Sequence, residues 1–181
     1  MKTDTKVSLK IKFEDIPPEG LELEFEDPKG QLIKDCFPIK APIKARVFIR
    51  RWGINVKVNG QVETVLLLSC DRCLEEFPFE IREKIDVELQ PIASLKVSHE
   101  EVRLTKEELD VIFFDGETIE VDEVIREQIL LAVPMRKLCR AECRGLCPIC
   151  GQNLNLKECG CKPKIKDSPF AILKKLVISS G

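Results

Sequence analysis

Eight of the nine cysteines fall into four close pairs, and no other feature restricts the fold as much. Cys70 and Cys73 form a C-x2-C, and Cys139 and Cys143 form a C-x3-C. Cys147 and Cys150 form a second C-x2-C, and Cys159 and Cys161 form a C-x-C. Structural zinc takes four ligands in a tetrahedron, commonly supplied as two close pairs. Four pairs therefore predict two four-cysteine zinc sites, with a single zinc as the alternative. Cys36 stands apart and is expected to be an ordinary small core residue. The one histidine, His99, excludes any two-histidine site and leaves little room for Ser-His or Cys-His catalysis.

The sharpest local signal is Leu146-Cys147-Pro148-Ile149-Cys150-Gly151. Two thiolates two residues apart can grip one metal from a tight turn, and a glycine after the second permits positive φ. The stretch ending in Cys70-Asp71-Arg72-Cys73 superficially resembles a thioredoxin-type redox motif. Such a motif needs a following helix to lower the first thiol's pKa. Here Pro78 and the period-two pattern through Phe77, Phe79, Ile81, Ile85, Val87 and Leu89 point to a strand instead. Zinc is favoured, with redox chemistry and a bland reduced pair as alternatives. Chain proximity joins Cys147 and Cys150 to Cys159 and Cys161, and Cys139 and Cys143 to Cys70 and Cys73. The arrangement in which Cys70 and Cys73 face Cys147 and Cys150 stays open.

Composition bears on the compartment. The chain has 181 residues, 33% of them charged, and its longest apolar runs are as short as Val65 to Leu68 and Ile129 to Val133. A membrane-spanning helix needs about 20 apolar residues. The polar N-terminus has no apolar core of a signal peptide. A cytoplasmic protein is expected, and nine cysteines in a reducing compartment point to metal or redox chemistry rather than disulfides.

The expected fold is α+β. An antiparallel β-barrel or sandwich body is followed by a helix, a Cys-rich zinc segment and a C-terminal helix starting at Ser168-Pro169. The division falls into a β-rich domain, 1–121, with the first C-x2-C, and a helical, Cys-rich segment, 122–181. Alternation predicts strands at Val7 to Phe13, Leu21 to Phe25, Ile43 to Arg51 and Phe77 to Leu89. Asn59-Gly60, between Ile54 to Val58 and Gln61 to Val65, predicts a hairpin turn. Asp115-Gly116 predicts another, and Asp122 is the expected helix N-cap.

Charge is segregated behind the formal −2. Residues 80–133 carry a net −9 and residues 134–181 a net +7. A basic end on an otherwise acidic protein suits a polyanion. A zinc held by four thiolates carries −2 and offsets part of it. Candidate RNA-contacting residues are Arg136, Lys137, Arg140, Arg144, Lys162, Lys164 and Lys166, together with Arg50, Arg51 and Trp52. Trp52 and Phe170 are the candidates for base contact, although a tryptophan in a strand is more often core.

Asp115-Gly116-Glu117-Thr118-Ile119-Glu120-Val121, the segment ending Leu130-Leu131-Ala132-Val133-Pro134, and Cys143-Arg144-Gly145-Leu146-Cys147-Pro148-Ile149-Cys150-Gly151 together resemble the YceD-like family. Asn153-Leu154-Asn155, Cys159-Gly160-Cys161 and Asp167 to Leu176 extend the resemblance, which spans roughly residues 40 to 178. Where many members have Asp-Pro-Arg, this chain has Asp167-Ser168-Pro169-Phe170. The resemblance implies a role in accumulation of large-subunit ribosomal RNA. The expected function is a non-enzymatic ribosome-biogenesis factor binding rRNA or a pre-ribosomal particle, with a ribosomal protein as a further partner. No membrane and no small-molecule substrate is implied. A zinc-dependent protein–protein adaptor and a C-x2-C redox protein are the alternatives.

Overall fold

The computed structural model describes residues 8–94 and 111–161. Its centre is an open five-stranded sheet in the order β2-β3-β4-β5-β6. The strands are β2 (Leu21–Asp27), β3 (Ile39–Trp52), β4 (Asn55–Ser69), β5 (Glu76–Pro91) and β6 (Val111–Phe114). A two-stranded sheet pairs β1 (Lys10–Lys12) with β7 (Thr118–Glu120), and β7 runs straight into the helix α1 (Val121–Ala132). The body is thus mostly β with one helix among the described residues. It is not the closed barrel that alternation made one of two expectations, because β2 and β6 end the sheet without meeting. The expected C-terminal helix and the start of the first strand lie outside the described residues.

Alternation explains which face is buried. Val47 and Ile49 of β3, Val56, Val58, Val62, Leu66 and Leu68 of β4, and Ile81, Ile85 and Leu89 of β5 all point to one side. Val124, Ile125 and Ile129 of α1 close the same core. The other face carries cross-strand ion pairs, among them Arg46–Glu24 at 2.6 Å and Lys57–Asp86 at 3.2 Å.

Several local expectations fail for identifiable reasons. Asn59-Gly60 is not a turn but lies inside β4, opposite Phe48 and Val47. A Cβ on Gly60 would sit 2.2 Å from the Arg46 carbonyl oxygen, so this glycine serves a close approach of two strands. The turn is the two-residue loop Gly53-Ile54, where Gly53 takes φ +63°. Asp115-Gly116 does not close a hairpin either. β6 pairs in parallel with β5, and β7 leaves for the other sheet. Asp122 is not the N-cap. That position is Glu120, and the Val121 N–H is taken by the carbonyl of Leu9, the residue just before β1, at 3.0 Å. Asp122 is buried instead. Cys36 is exposed rather than core, with Arg126 Nη2 3.5 Å from its sulfur.

Candidate metal centres

The eight paired cysteines form two groups, Cys70, Cys73, Cys139 and Cys143, and Cys147, Cys150, Cys159 and Cys161. Within each group all four sulfurs lie within 4.8 Å of one another. All nine thiols of the chain are free of disulfides.

The first group hangs on the end of the sheet. β4 delivers Cys70, the turn Asp71-Arg72 follows, and Cys73 leads back towards β5 with no intervening helix. Cys70 N–H donates to the Glu75 carbonyl and Leu74 N–H to the Cys70 carbonyl, both at 2.9 Å. The segment after α1 is then laid across this turn. Lys137 N–H donates to Asp71 Oδ2 at 2.6 Å, and Asp71 N–H to the Lys137 carbonyl at 2.8 Å. Arg72 Nη1 donates to the Cys143 carbonyl at 2.7 Å. Phe77, Leu138 and Leu146 pack around the sulfurs.

The second group is local. Cys147 N–H donates to the Gln152 carbonyl at 2.8 Å, and Gly151 N–H to the Cys147 carbonyl at 2.9 Å, which closes the turn. Gly151 has φ +74°. Ile149 N–H lies 3.5 Å from the Cys147 sulfur, a backbone donor aimed at a thiolate.

Two features of the donor set fit zinc. Sulfurs bound at about 2.3 Å in a tetrahedron stand about 3.8 Å apart. Cys70 Sγ is 3.8 Å from Cys143 Sγ, and Cys73 Sγ is 3.7 Å from Cys139 Sγ. The electrostatics lead the same way. Burial opposes ionisation of Cys70, but the N–H groups of Cys139, Cys73 and Arg72 outweigh it and bring the thiol down to about 6. The N–H groups of Cys150 and Ile149 bring Cys147 down to about 6 as well. Burial, together with Cys73 and Cys143, pushes Cys139 up to about 12. Its hydrogen bond with Cys150, burial and Cys159 push Cys161 up to about 12. Each cluster therefore readily holds some negative charge but not four thiolates, unless a cation supplies the missing positive charge.

Sequence reasoning missed two supporting residues. Asn155 Nδ2 lies 3.2 Å from the Cys143 sulfur, while its Oδ1 accepts from Arg144 N–H at 2.8 Å. Arg72 accepts at its carbonyl from Leu146 N–H at 3.0 Å. Arg72 lies inside the first C-x2-C and Asn155 in Asn153-Leu154-Asn155, but ligand spacing gives neither a role; only the tertiary arrangement shows it.

The candidate RNA residues are not brought together. Arg50, Arg51 and Trp52 sit at the β3–β4 turn, roughly 45 Å along β4 from Cys70 by strand rise. Trp52 is 69% exposed, contrary to the expected core position, and Arg50 lies 5.6 Å over its ring. Arg51 is half-buried and lies over the Phe13 ring at 5.4 Å. Arg136 and Arg140 are exposed beside the first cluster, whereas Lys137 pairs with Asp71 and Arg144 with Glu158. Lys162, Lys164, Lys166 and Phe170 lie outside the described residues. No helix of the described residues is long and apolar enough to cross a membrane.

Comparison with known proteins agrees with the resemblance carried by these motifs. The chain is 27% identical over 165 residues to the Arabidopsis thaliana protein named large ribosomal RNA subunit accumulation protein YCED homolog 1, chloroplastic. That match covers 80% of this chain and 51% of the plant protein. The Zea mays protein of the same name is 26% identical over 147 residues, covering 69% of this chain and 50% of its own. The chain thus spans about half the length of these plant relatives. The uncharacterized Bacillus subtilis protein YlbN is 26% identical, with 80% of this chain and 77% of that protein covered. No solved structure matches. The family profile described as large ribosomal RNA subunit accumulation protein YceD matches residues 58–177, from near the start of β4 through both cysteine clusters, and the chain belongs to that family.

Proposed function

We propose that this protein is a non-enzymatic ribosome-biogenesis factor of the cytoplasm. In this reading it binds large-subunit rRNA, or a precursor particle containing it, and supports accumulation of that RNA. The observation that carries the reading is the family match over residues 58–177, which includes all eight paired cysteines. Two zinc ions complete the proposal, one in each four-cysteine group. Zinc would supply charge neutralisation and a fixed tetrahedral geometry. Four thiolate ligands leave it no open position for a substrate, which argues against metal catalysis. Cys70 and Cys73 would fix the tail to the sheet, holding Arg136 and Arg140 exposed at the surface, where phosphates can reach them.

Two measurements test this. Metal analysis of purified protein is expected to give about two zinc per chain, and a metal-free protein after anaerobic purification overturns the zinc reading. Sedimentation of cell extract is expected to show the protein with large-subunit precursors at low salt and free at high salt, because phosphate contacts weaken steeply with ionic strength. A protein that never comigrates with those precursors at low salt overturns the assembly reading.

A further inference from the structure

The solvent face of the sheet changes character along its length. Most of its charges are paired: Arg46 with Glu22 and Glu24, Lys44 with Glu26 and Arg82 with Glu63 towards the Cys70 end, and Lys57 with Asp86 nearer the turn. Towards the Gly53-Ile54 turn, aromatic rings emerge. Phe48 and Trp52 stand on the outward side of β3, separated by Arg50. They are 40% and 69% exposed. On β6, Phe113 pairs with Gln90 and is 42% exposed. Four residues of strand rise put Phe48 about 13 Å from Trp52, and three strand spacings put Phe113 about 14 Å from Trp52. The rings are therefore spaced as separate platforms, with Ile54, 62% exposed, beside Trp52 in the turn and Ile92, 58% exposed, directly after β5.

Polar groups fill the spaces between the rings. Asn55 Nδ2 donates to Glu88 and Asn59 Nδ2 to Asp86, both at 2.7 Å. Each amide is thereby held in place with its carbonyl oxygen and a second N–H available. Arg50 has no carboxylate partner among the described residues and lies over Trp52. Fixed aromatic rings on a sheet, amides that can meet base edges and an unpaired arginine match the chemistry of unpaired nucleotides. Bases stack on the rings, and the guanidinium meets a phosphate. A duplex hides its base faces and cannot use such a surface.

We propose that Phe48, Trp52 and Phe113, with Arg50, form a stacking platform for single-stranded RNA, distant from the cysteine clusters. This inference rests on the RNA-binding reading above. Trp52 is the only tryptophan and the chain has no tyrosine, so tryptophan emission reports this surface alone. The full chain, metal-loaded, is titrated at low salt with a single-stranded RNA oligonucleotide and with the same sequence as a duplex. Quenching of emission by the single strand and little by the duplex is expected. Phe48→Ala and Phe113→Ala are each expected to weaken binding of a labelled single strand by about tenfold, within the range for losing one stacked base. An unmoved emission signal, with single-stranded RNA still bound equally by a Phe48→Ala, Trp52→Ala, Phe113→Ala triple variant, overturns the platform and leaves RNA binding in place. If neither oligonucleotide nor ribosomal precursor RNA binds at low salt, the RNA reading falls and the platform with it. The emission arm uses the unmodified protein, so it decides even where a variant folds poorly.

Discussion

The two cysteine clusters have the same ligand count and opposite relations to the fold. In the first, Cys70, Cys73 and Cys143 are buried and Cys139 half-buried, and its two pairs come from segments 66 residues apart or more. In the second, only Cys147 is buried, and all four cysteines come from within fifteen residues. A metal held by the first would close a long loop and join the end of the sheet to the segment after α1. A metal held by the second would close a short loop and shape only that loop. Restricting a long loop removes more freedom from the unfolded chain than restricting a short one. Burial adds to the difference, because a buried ligand left without its metal loses solvation as well.

The largest effect should come from breaking the first cluster. Cys70→Ser or Cys143→Ser is expected to lower the stability of the whole body by about 3 kcal/mol or more, the class of loss seen when a structural metal goes. Cys159→Ser is expected to remove one metal equivalent and change the body's stability by less than about 1 kcal/mol. Thermal unfolding with metal counting on each variant checks both. Equal shifts from the two clusters would remove the distinction drawn between them.

The next effect concerns how the clusters communicate. Asn155 lies between Cys150 and Cys159 in sequence, yet its amide points at the Cys143 sulfur of the other cluster, 3.2 Å away. Folding of the second loop thus sets a donor on the first site. Asn155→Leu is expected to weaken metal binding at the first cluster by about tenfold, as loss of a group hydrogen-bonded to a ligand does. The second cluster should keep its affinity. Cobalt titration in competition with a chelator resolves the two sites. A loss confined to the second cluster would show that Asn155 serves only its own loop.

Acid and base should also separate the clusters once metal is removed. Cys70 is held at about 6 against an ordinary value of 9.0, so its contribution is full above pH 9 and is lost as pH falls towards 6. Cys139 is held at about 12, so its contribution is full below pH 9 and is lost as pH rises towards 12. As far as these two thiols decide it, the chelated body is most stable near pH 9. Cys147 and Cys161 follow the same pattern, but in a loop that does not hold the body together. Unfolding midpoints of chelated protein across this range are expected to show the maximum, and Cys159→Ser should preserve it. A maximum that survives in Cys70→Ser would remove the first cluster as its cause.

The clusters were legible in the sequence because ligand spacing is local chemistry. Chain proximity also favoured the grouping that the sulfurs adopt. What escaped was whatever depends on a distant partner. Asn59-Gly60 has the composition of a turn, but the chain uses Gly60 for the approach of the Arg46 carbonyl from the neighbouring strand. Asp122 has the composition of a cap, but a residue remote in sequence, Leu9, supplies its carbonyl to that helix end. Trp52 looked like core because period-two alternation does not say which of two faces is covered, and its face is the open one. Asn155 belongs with these, since its target is on the other cluster.

The smallest effect tests whether the two C-x2-C turns share one backbone plan despite their different surroundings. The residue after the second cysteine takes positive φ in both, Gly151 at +74° and Leu74 at +62°. Leu74 is the only non-glycine with positive φ among the described residues. A side chain costs about 1–2 kcal/mol in that region. The Leu74 side chain is 67% exposed, so little packing offsets the strain. Leu74→Gly relieves it while raising the entropy of the unfolded chain by about 1 kcal/mol. A net gain of about 0.5 kcal/mol in stability is expected by denaturant unfolding. Because this turn anchors the buried cluster, the gain should appear in the unfolding of the whole body. Gly151→Ala, by contrast, should loosen the second cluster's metal and leave the body's midpoint where it is. If Leu74→Gly lowers stability, the leucine contributes packing that outweighs its strain, and the first turn is built on different terms from the second.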